Sequence, residues 1–154
     1  MKKSPKPKIR VSVRKQQLTL KWGRKKLAEY PVSTSRFGLG SKVGSFKTPT
    51  GKFRVAEKIG DRMPVGTVFK SRRPIKPTKK ALREEDLVMT RILWLDGLEP
   101  RNANTHDRYI YIHGTNHEEK IGLPDSHGCI RMRNADLVAL FEQVAEGTPV
   151  EIRP

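Results

Sequence analysis

The sequence predicts a mainly β single domain with one substantial helix near its C-terminus. Three observations predict it. Apolar and polar residues alternate along several short runs, helical apolar spacing is convincing only once, and Gly, Pro, Ser and Thr punctuate the intervals. At 154 residues the chain has the length of one ordinary domain. A hydrophobic fraction of 35% is low, yet its periodic runs suffice for one core and argue against wholesale disorder.

Ile9, Val11 and Val13 alternate with polar residues, and Leu18, Leu20 and Trp22 do so again after the Arg14-Lys15-Gln16 break. With a third extended run from Leu27 to Val32, this is an antiparallel meander. Gly38, Gly40, Gly44 and Gly51 follow among Ser and Thr as turn formers, and Thr48-Pro49-Thr50-Gly51 suits a type I turn. Phe53 to Ala56 returns to strand character, whereas the basic stretch Arg72 to Lys80 has too little apolar content for core and reads as a surface excursion or lid. Leu87 to Leu95 and Tyr109 to Ile112 are further strands. The helix is expected from Asn134 as N-cap, with Asp136 in its first turn, apolar Leu137, Val138, Leu140, Phe141 and Val144, and Gly147 to end it. Thr148 to Ile152 is the last strand.

Lys and Arg number 32 against 16 acids, a formal net charge of +16. Met1 to Tyr30 contains eleven of those cations and only Glu29 as an acid, so residues 1–8 read as a basic flexible leader and 9–154 as the folded domain. Such a surface attracts polyanions in a salt-sensitive way, which names a class of partner and not a reaction. No apolar stretch is long enough to span a bilayer. Pro5, Lys6, Pro7, Lys8 and Arg10 stand where a signal peptide would need its apolar core, so no export signal is expected. Cys129 is the only cysteine, which excludes an internal disulfide and a four-thiolate metal site.

Chemistry concentrates in two segments, Ile110 to Thr115 and Ser126 to Arg131. The first ends a strand in His113-Gly114, and the second presents Cys129 beside Gly128. A cysteine nucleophile needs a base or cation to raise its thiolate fraction, and histidine supplies either. If the chain is extended past Cys129, then Arg131 and Arg133 share the thiol's face while Ile130 and Met132 point to the core. Arg131 is placed to tune the thiol or to hold a substrate carboxylate. Arg133 is better read as a solvated charge or a partner of a nearby acid. His106 and His117 read as hydrogen-bonding residues. Ser126 is open to two readings, substrate contact or a bond closing its own turn.

HGTN at His113 to Asn116, IGLPDSHGCIRM at Ile121 to Met132 and NADLVALF at the helix resemble the L,D-transpeptidase catalytic domain, the YkuD family. YPVSTS at Tyr30 to Ser35 and GSFKTPTGKF at Gly44 to Phe53 are also similar to family segments. The resemblance implies a sandwich or barrel-like β sheet and a cysteine site that rebuilds peptidoglycan cross-links without metal or organic cofactor. It implies Cys129 as nucleophile, His113 as general base oriented by the Gly114 carbonyl, and His127 as the motif histidine of less defined role. Backbone N–H groups of Gly128 and Cys129 are expected to face the oxyanion, with Arg131 and Ser126 contacting substrate. Peptidoglycan stem peptides are the implied partners, with an anionic wall polymer on the basic surface, and a monomer is expected. The substrate places the chain in the cell envelope or periplasm, while the lack of a visible signal peptide keeps the cytoplasm as the alternative.

Three alternatives stay open at this level. Water in place of an amine acceptor makes the same site an L,D-carboxypeptidase. His113, His127 and Cys129 are also plausible zinc ligands for a hydrolase, although no Cys-x-x-Cys or His-x-x-x-His element orders them. A basic polyanion-binding module is the third; aromatic content of 6% and the absence of nucleic-acid motifs argue against specific nucleic-acid recognition.

Overall fold

Ten strands form one sheet in a computed structural model that describes residues 6–154. The strands are β1 (Pro7–Ser12), β2 (Gln17–Trp22), β3 (Lys25–Ser33), β4 (Gly51–Ile59), β5 (Val68–Lys70), β6 (Arg73–Ile75), β7 (Val88–Gly97), β8 (Tyr111–Gly114), β9 (Ile130–Met132) and β10 (Pro149–Arg153). Their order is β4-β10-β1-β2-β3-β9-β8-β7, and β7 pairs again with β4, so eight strands close into a barrel. The β5–β6 hairpin extends from β7 outside that ring. Closure removes the free edges of the ring itself, and the short β6 is the outer edge that remains.

The expected meander is present as β1-β2-β3, with Ile9, Val11, Leu18 and Leu20 fully buried and their polar neighbours turned outward. These residues meet Phe53, Val55, Leu93, Leu95, Ile112, Ile130 and Met132 in the main core. Helix α2 (Asn134–Gln143) adds Leu137, Leu140 and Phe141 to that core and packs against β7 and β8. Most of the expected leader, residues 1–5, lies outside the described residues; Pro7 and Lys8 already belong to β1. Among the described residues no helix is long and apolar enough to cross a membrane.

Local corrections have physical causes. Asn134 is the first residue of α2 and not its cap, because its side chain is engaged elsewhere: it accepts from Thr90 Oγ1 at 2.6 Å and donates to Thr115 O and Glu118 Oε1 at 2.8 Å. Glu118 also accepts the Asn134 backbone N–H at 2.8 Å, placing a carboxylate from a neighbouring turn at the helix's positive end. The helix stops at Gln143, with Val144 extended, before Gly147 is reached. Thr48 to Gly51 carries no turn: Thr48 bridges Leu39 and its hydroxyl is buried in tertiary bonds, while Gly51 opens β4 at φ 112°. The Arg72–Lys80 excursion has structure of its own. It carries the end of the β5–β6 hairpin and the start of α1 (Lys79–Glu84), whose N-cap Thr78 accepts from Ala81 N at 3.0 Å.

Candidate active site

β8 and β9 run parallel, with Ile112 opposite Ile130 and His113 opposite Arg131. The two isoleucines enter the main core, so strand alternation turns Tyr111 and His113, with Cys129 and Arg131, to the other face. Cys129 immediately precedes β9 and packs on the cluster of Phe69, Ile92, Trp94 and Tyr111. Imidazole and thiol therefore leave the same face of adjoining strands.

The Cys129 thiol is half-buried; it accepts from the Tyr111 N–H at 3.3 Å and donates to the Tyr109 carbonyl at 3.4 Å. Burial, with the Asp86 carboxylate acting in the same direction, pushes its pKa up to about 11, against the Tyr111 N–H bond and the charges of Arg131 and Arg108, which favour the thiolate. His113 is 3% exposed, and its Nδ1 lies 2.5 Å from the Gly114 carbonyl. That carbonyl can only accept, so Nδ1 carries the proton and Nε2 keeps a free lone pair. Burial holds His113 below the ordinary imidazole range, although Asp86 and the Gly114 carbonyl oppose the shift. At neutral pH Cys129 is thus held as a thiol and His113 as a neutral imidazole.

Gly114 is where the histidine strand meets the helix. A Cβ there would stand 2.2 Å from Asn134 Oδ1 and 2.7 Å from the Met89 carbonyl. A bulge in β7 between Met89 and Ile92, with Thr90 at φ 75°, accommodates this junction and lets the Thr90 hydroxyl reach Asn134.

The Ser126-to-Cys129 turn is held from outside. Gly128 has φ 122°, a conformation that suits glycine, and its carbonyl accepts from the buried Thr48 hydroxyl at 3.0 Å. Thr48 Oγ1 accepts from Ser35 N, Ser35 Oγ donates to the Phe46 carbonyl, and Arg36 N donates to the Ser126 carbonyl. The Gly-rich segment from Ser35 to Thr48 therefore buttresses the turn.

Three of the expected contact groups, Ser126, the Gly128 N–H and Arg131, are engaged within the fold. Ser126 is 1% exposed, and its hydroxyl donates to the Cys129 carbonyl at 2.6 Å while accepting the Gly128 N–H at 3.2 Å. The serine closes its own turn and occupies the Gly128 donor, so neither is presented to a substrate. Arg131 is 1% exposed as well: its guanidinium lies between Asp86 Oδ2 at 2.6 Å and Asp125 Oδ2 at 2.7 Å. It is an internal cation and not a surface clamp. His127 remains exposed, between the rings of Phe37 and Phe46, with Nδ1 3.5 Å from Asp86 Oδ2.

Asp86, Arg108, Tyr109 and Thr48 are site residues that the sequence reading missed. Burial alone would raise the Asp86 carboxyl, yet the charges of His113 and Arg131 and bonds from Arg131 and His127 bring it below its ordinary value. Arg108 donates to the carbonyls of Gly40 and Lys47 and bears on Cys129. Nothing in sequence spacing links these positions to residue 129.

Recesses of about 430 and 420 Å³ flank the thiol's neighbour Tyr109. Val43, Phe46, Arg108 and His127 line the first, and Arg72, Trp94 and His106 the second. Arg72, at the β5–β6 tip, lies 4.7 Å over the Trp94 ring and donates to the Tyr111 hydroxyl at 3.2 Å. His106 stacks on Trp94 at 3.8 Å, His117 Nε2 lies 2.9 Å from the Glu85 carbonyl, and Arg133 is exposed. Among the described residues no three His, Cys, Asp or Glu side chains are grouped to hold a metal ion.

The model of the YkuD family, described as the L,D-transpeptidase catalytic domain, matches residues 6–152. The probable L,D-transpeptidase YbiS of Escherichia coli K12 is 54% identical over 44 residues, which are 29% of this chain and 14% of that protein. An L,D-transpeptidase from Xylanimonas cellulosilytica superposes with a TM-score of 0.64 at 18% identity, covering 99% of this chain and 63% of that one. L,D-transpeptidase 3 from Mycobacterium tuberculosis, solved with a faropenem-derived adduct, gives 0.64 at 16% identity over 97% and 61% of the two chains. The chain thus spans less than two thirds of each of these relatives.

Proposed function

Since the chain belongs to the YkuD family of L,D-transpeptidase catalytic domains, we propose that it is a cysteine L,D-transpeptidase acting on peptidoglycan stem peptides. His113 Nε2 takes the Cys129 proton as sulfur attacks the carbonyl joining an L-centre diamino acid to the terminal D-alanine of a tetrapeptide stem. The carbonyl π electrons move to oxygen, giving a tetrahedral oxyanion. Its donors are the Cys129 N–H and the Tyr111 N–H, which already points at the sulfur. Collapse breaks the C–N bond, the D-alanine amine leaves with the proton held by His113, and a thioester remains. An amine of a second stem then attacks the thioester, passes a proton to His113, and returns the thiol as the cross-link forms. Water in place of that amine gives L,D-carboxypeptidase activity at the same site.

The observation that carries this reading is a neutral imidazole, fixed through Nδ1 to Gly114, that leaves the same face of adjoining parallel strands as the only thiol. Intact-mass analysis after incubation with faropenem tests it. Opening of the β-lactam by sulfur adds the whole molecule to the wild-type chain and nothing to Cys129→Ala. An adduct that persists in Cys129→Ala overturns the nucleophile.

The substrate points to the cell envelope. The basic surface supports a second contact there, with an anionic wall polymer. Arg10, Lys15, Lys21, Lys26 and Arg153 line a groove of about 350 Å³ on the outer side of β1-β2-β3, and no aromatic ring is among its lining residues. Lys26 is paired with Glu29 of the same groove and Arg153 with Glu151. Arg10, Lys15 and Lys21 are thus the cations that would meet a phosphate-bearing or carboxylate-bearing polymer, which suits them better than nucleic-acid bases in the absence of stacking platforms.

A further inference from the structure

We propose that Asp86 is a positioning residue for the cysteine–histidine pair: it secures the nucleophile's strand through Arg131, meets His127 of the nucleophile's turn, and supplies the negative charge that stabilises His113 once that ring is protonated. The proposal rests on the cysteine–histidine reading above and adds a residue that neither the family motif nor the sequence spacing indicates.

The geometry is specific. Asp86 lies between α1 and β7, at the end of the acidic run Glu84-Glu85-Asp86, 45 residues before its partner. Its Oδ2 accepts from Arg131 at 2.6 Å and stands 3.5 Å from His127 Nδ1. Arg131 is the register partner of His113 across the β8–β9 pair, so the carboxylate joins the strand of the base to that of the nucleophile. Asp125 lies on the other side of Arg131 and also faces Arg36 at 3.8 Å, so Asp86 is the carboxylate of this cluster that is not shared with a second guanidinium.

A buried guanidinium left without a carboxylate is costly, which accounts for one partner but not for two. Asp125 already holds Arg131 with both its side chain and its carbonyl, the latter at 3.2 Å. The second carboxylate is explained by proton transfer. Before transfer His113 is neutral, and after it the ring carries a positive charge in a site 3% exposed, where a fixed anion is most effective. Among the other groups facing His113, Arg131 is cationic, β7 presents Ile92 in register, and α2 brings the Asn134 amide to Gly114; none of these supplies an anion.

Two measurements test the assignment. The first is the rate of acylation by faropenem against pH for wild type and Asp86→Asn. The second is the NMR titration of the His113 ring in a Cys129→Ala background, with and without Asp86→Asn, which reads the carboxylate's effect whether or not the thiol is acylated. Removing the charge is expected to slow acylation about tenfold and to move both the acid limb and the imidazole midpoint to lower pH. Asp86→Glu is expected to recover part of the rate, and Asp86→Ser serves as the charge-free variant if Asp86→Asn does not fold. An unmoved limb and midpoint, or an equal displacement in Asp125→Asn, overturns the proposal: Asp86 is then only a structural partner of Arg131. Wild type that forms no adduct at Cys129 overturns the parent reading instead.

Discussion

At the scale of single residues, reactivity is set by two opposed environments. Burial keeps the Cys129 thiol protonated, with a pKa near 11, and keeps the His113 ring neutral. Each shift weakens the group's tendency to ionise alone, so under the proposed mechanism the proton moves as sulfur attacks. His113→Ala is expected to slow faropenem acylation on the order of a hundredfold or more, read from the adduct's time course. Because the ring's pKa lies below the ordinary value, wild-type acylation should persist at pH values where a free imidazole is already protonated, and fall only below them. A limb at or above the ordinary imidazole value would contradict the burial argument. The placement of His113 at the end of β8 and of Cys129 just before β9 was legible in the sequence because glycines and a strand end mark them. Asp86 was not, since it lies in an acidic run that reads as a solvated surface and its partner is 45 residues away.

Among elements, the decisive junction joins β8, the β7 bulge and the start of α2. Asn134 is a credible helix cap by sequence, and the alternating apolar runs correctly located the strands around it. The cap assignment failed because a local rule met a tertiary demand: the amide is spent on Thr90, Thr115 and Glu118. Tight contact follows at Gly114, where any side chain meets both Asn134 and the Met89 carbonyl. Gly114→Ala is expected to cost about 1–3 kcal/mol, the usual scale of overpacking, measured by urea unfolding. An unchanged midpoint would show that the helix start yields freely. The Ser126-to-Cys129 turn shows the same limit, because its support by Thr48 and Ser35 comes from a segment that reads only as glycine-rich turns.

The described residues form a closed barrel, with the proposed site on one side and the basic groove on another. The meander was readable from its alternation, whereas closure through the β4–β7 pairing was not, since it joins runs that show only local periodicity. Positive charge on the outer side of the meander should make wall association salt-sensitive. Pelleting with purified wall is expected to weaken as salt rises from about 0.05 to 0.5 M, where the screening length falls severalfold. The double variant Arg10→Glu, Lys21→Glu should weaken it at low salt while leaving acylation intact; pelleting indifferent to both would remove the groove from the account. The high thiol pKa also has a consequence for durability. Peroxide and disulfides react with thiolate, and a sulfur that stays protonated until a substrate draws it forward exposes little of that form. The only cysteine in the chain has no internal mate with which to form a bridge, so the shielding that holds the proton on sulfur also slows its oxidation wherever an oxidant is met.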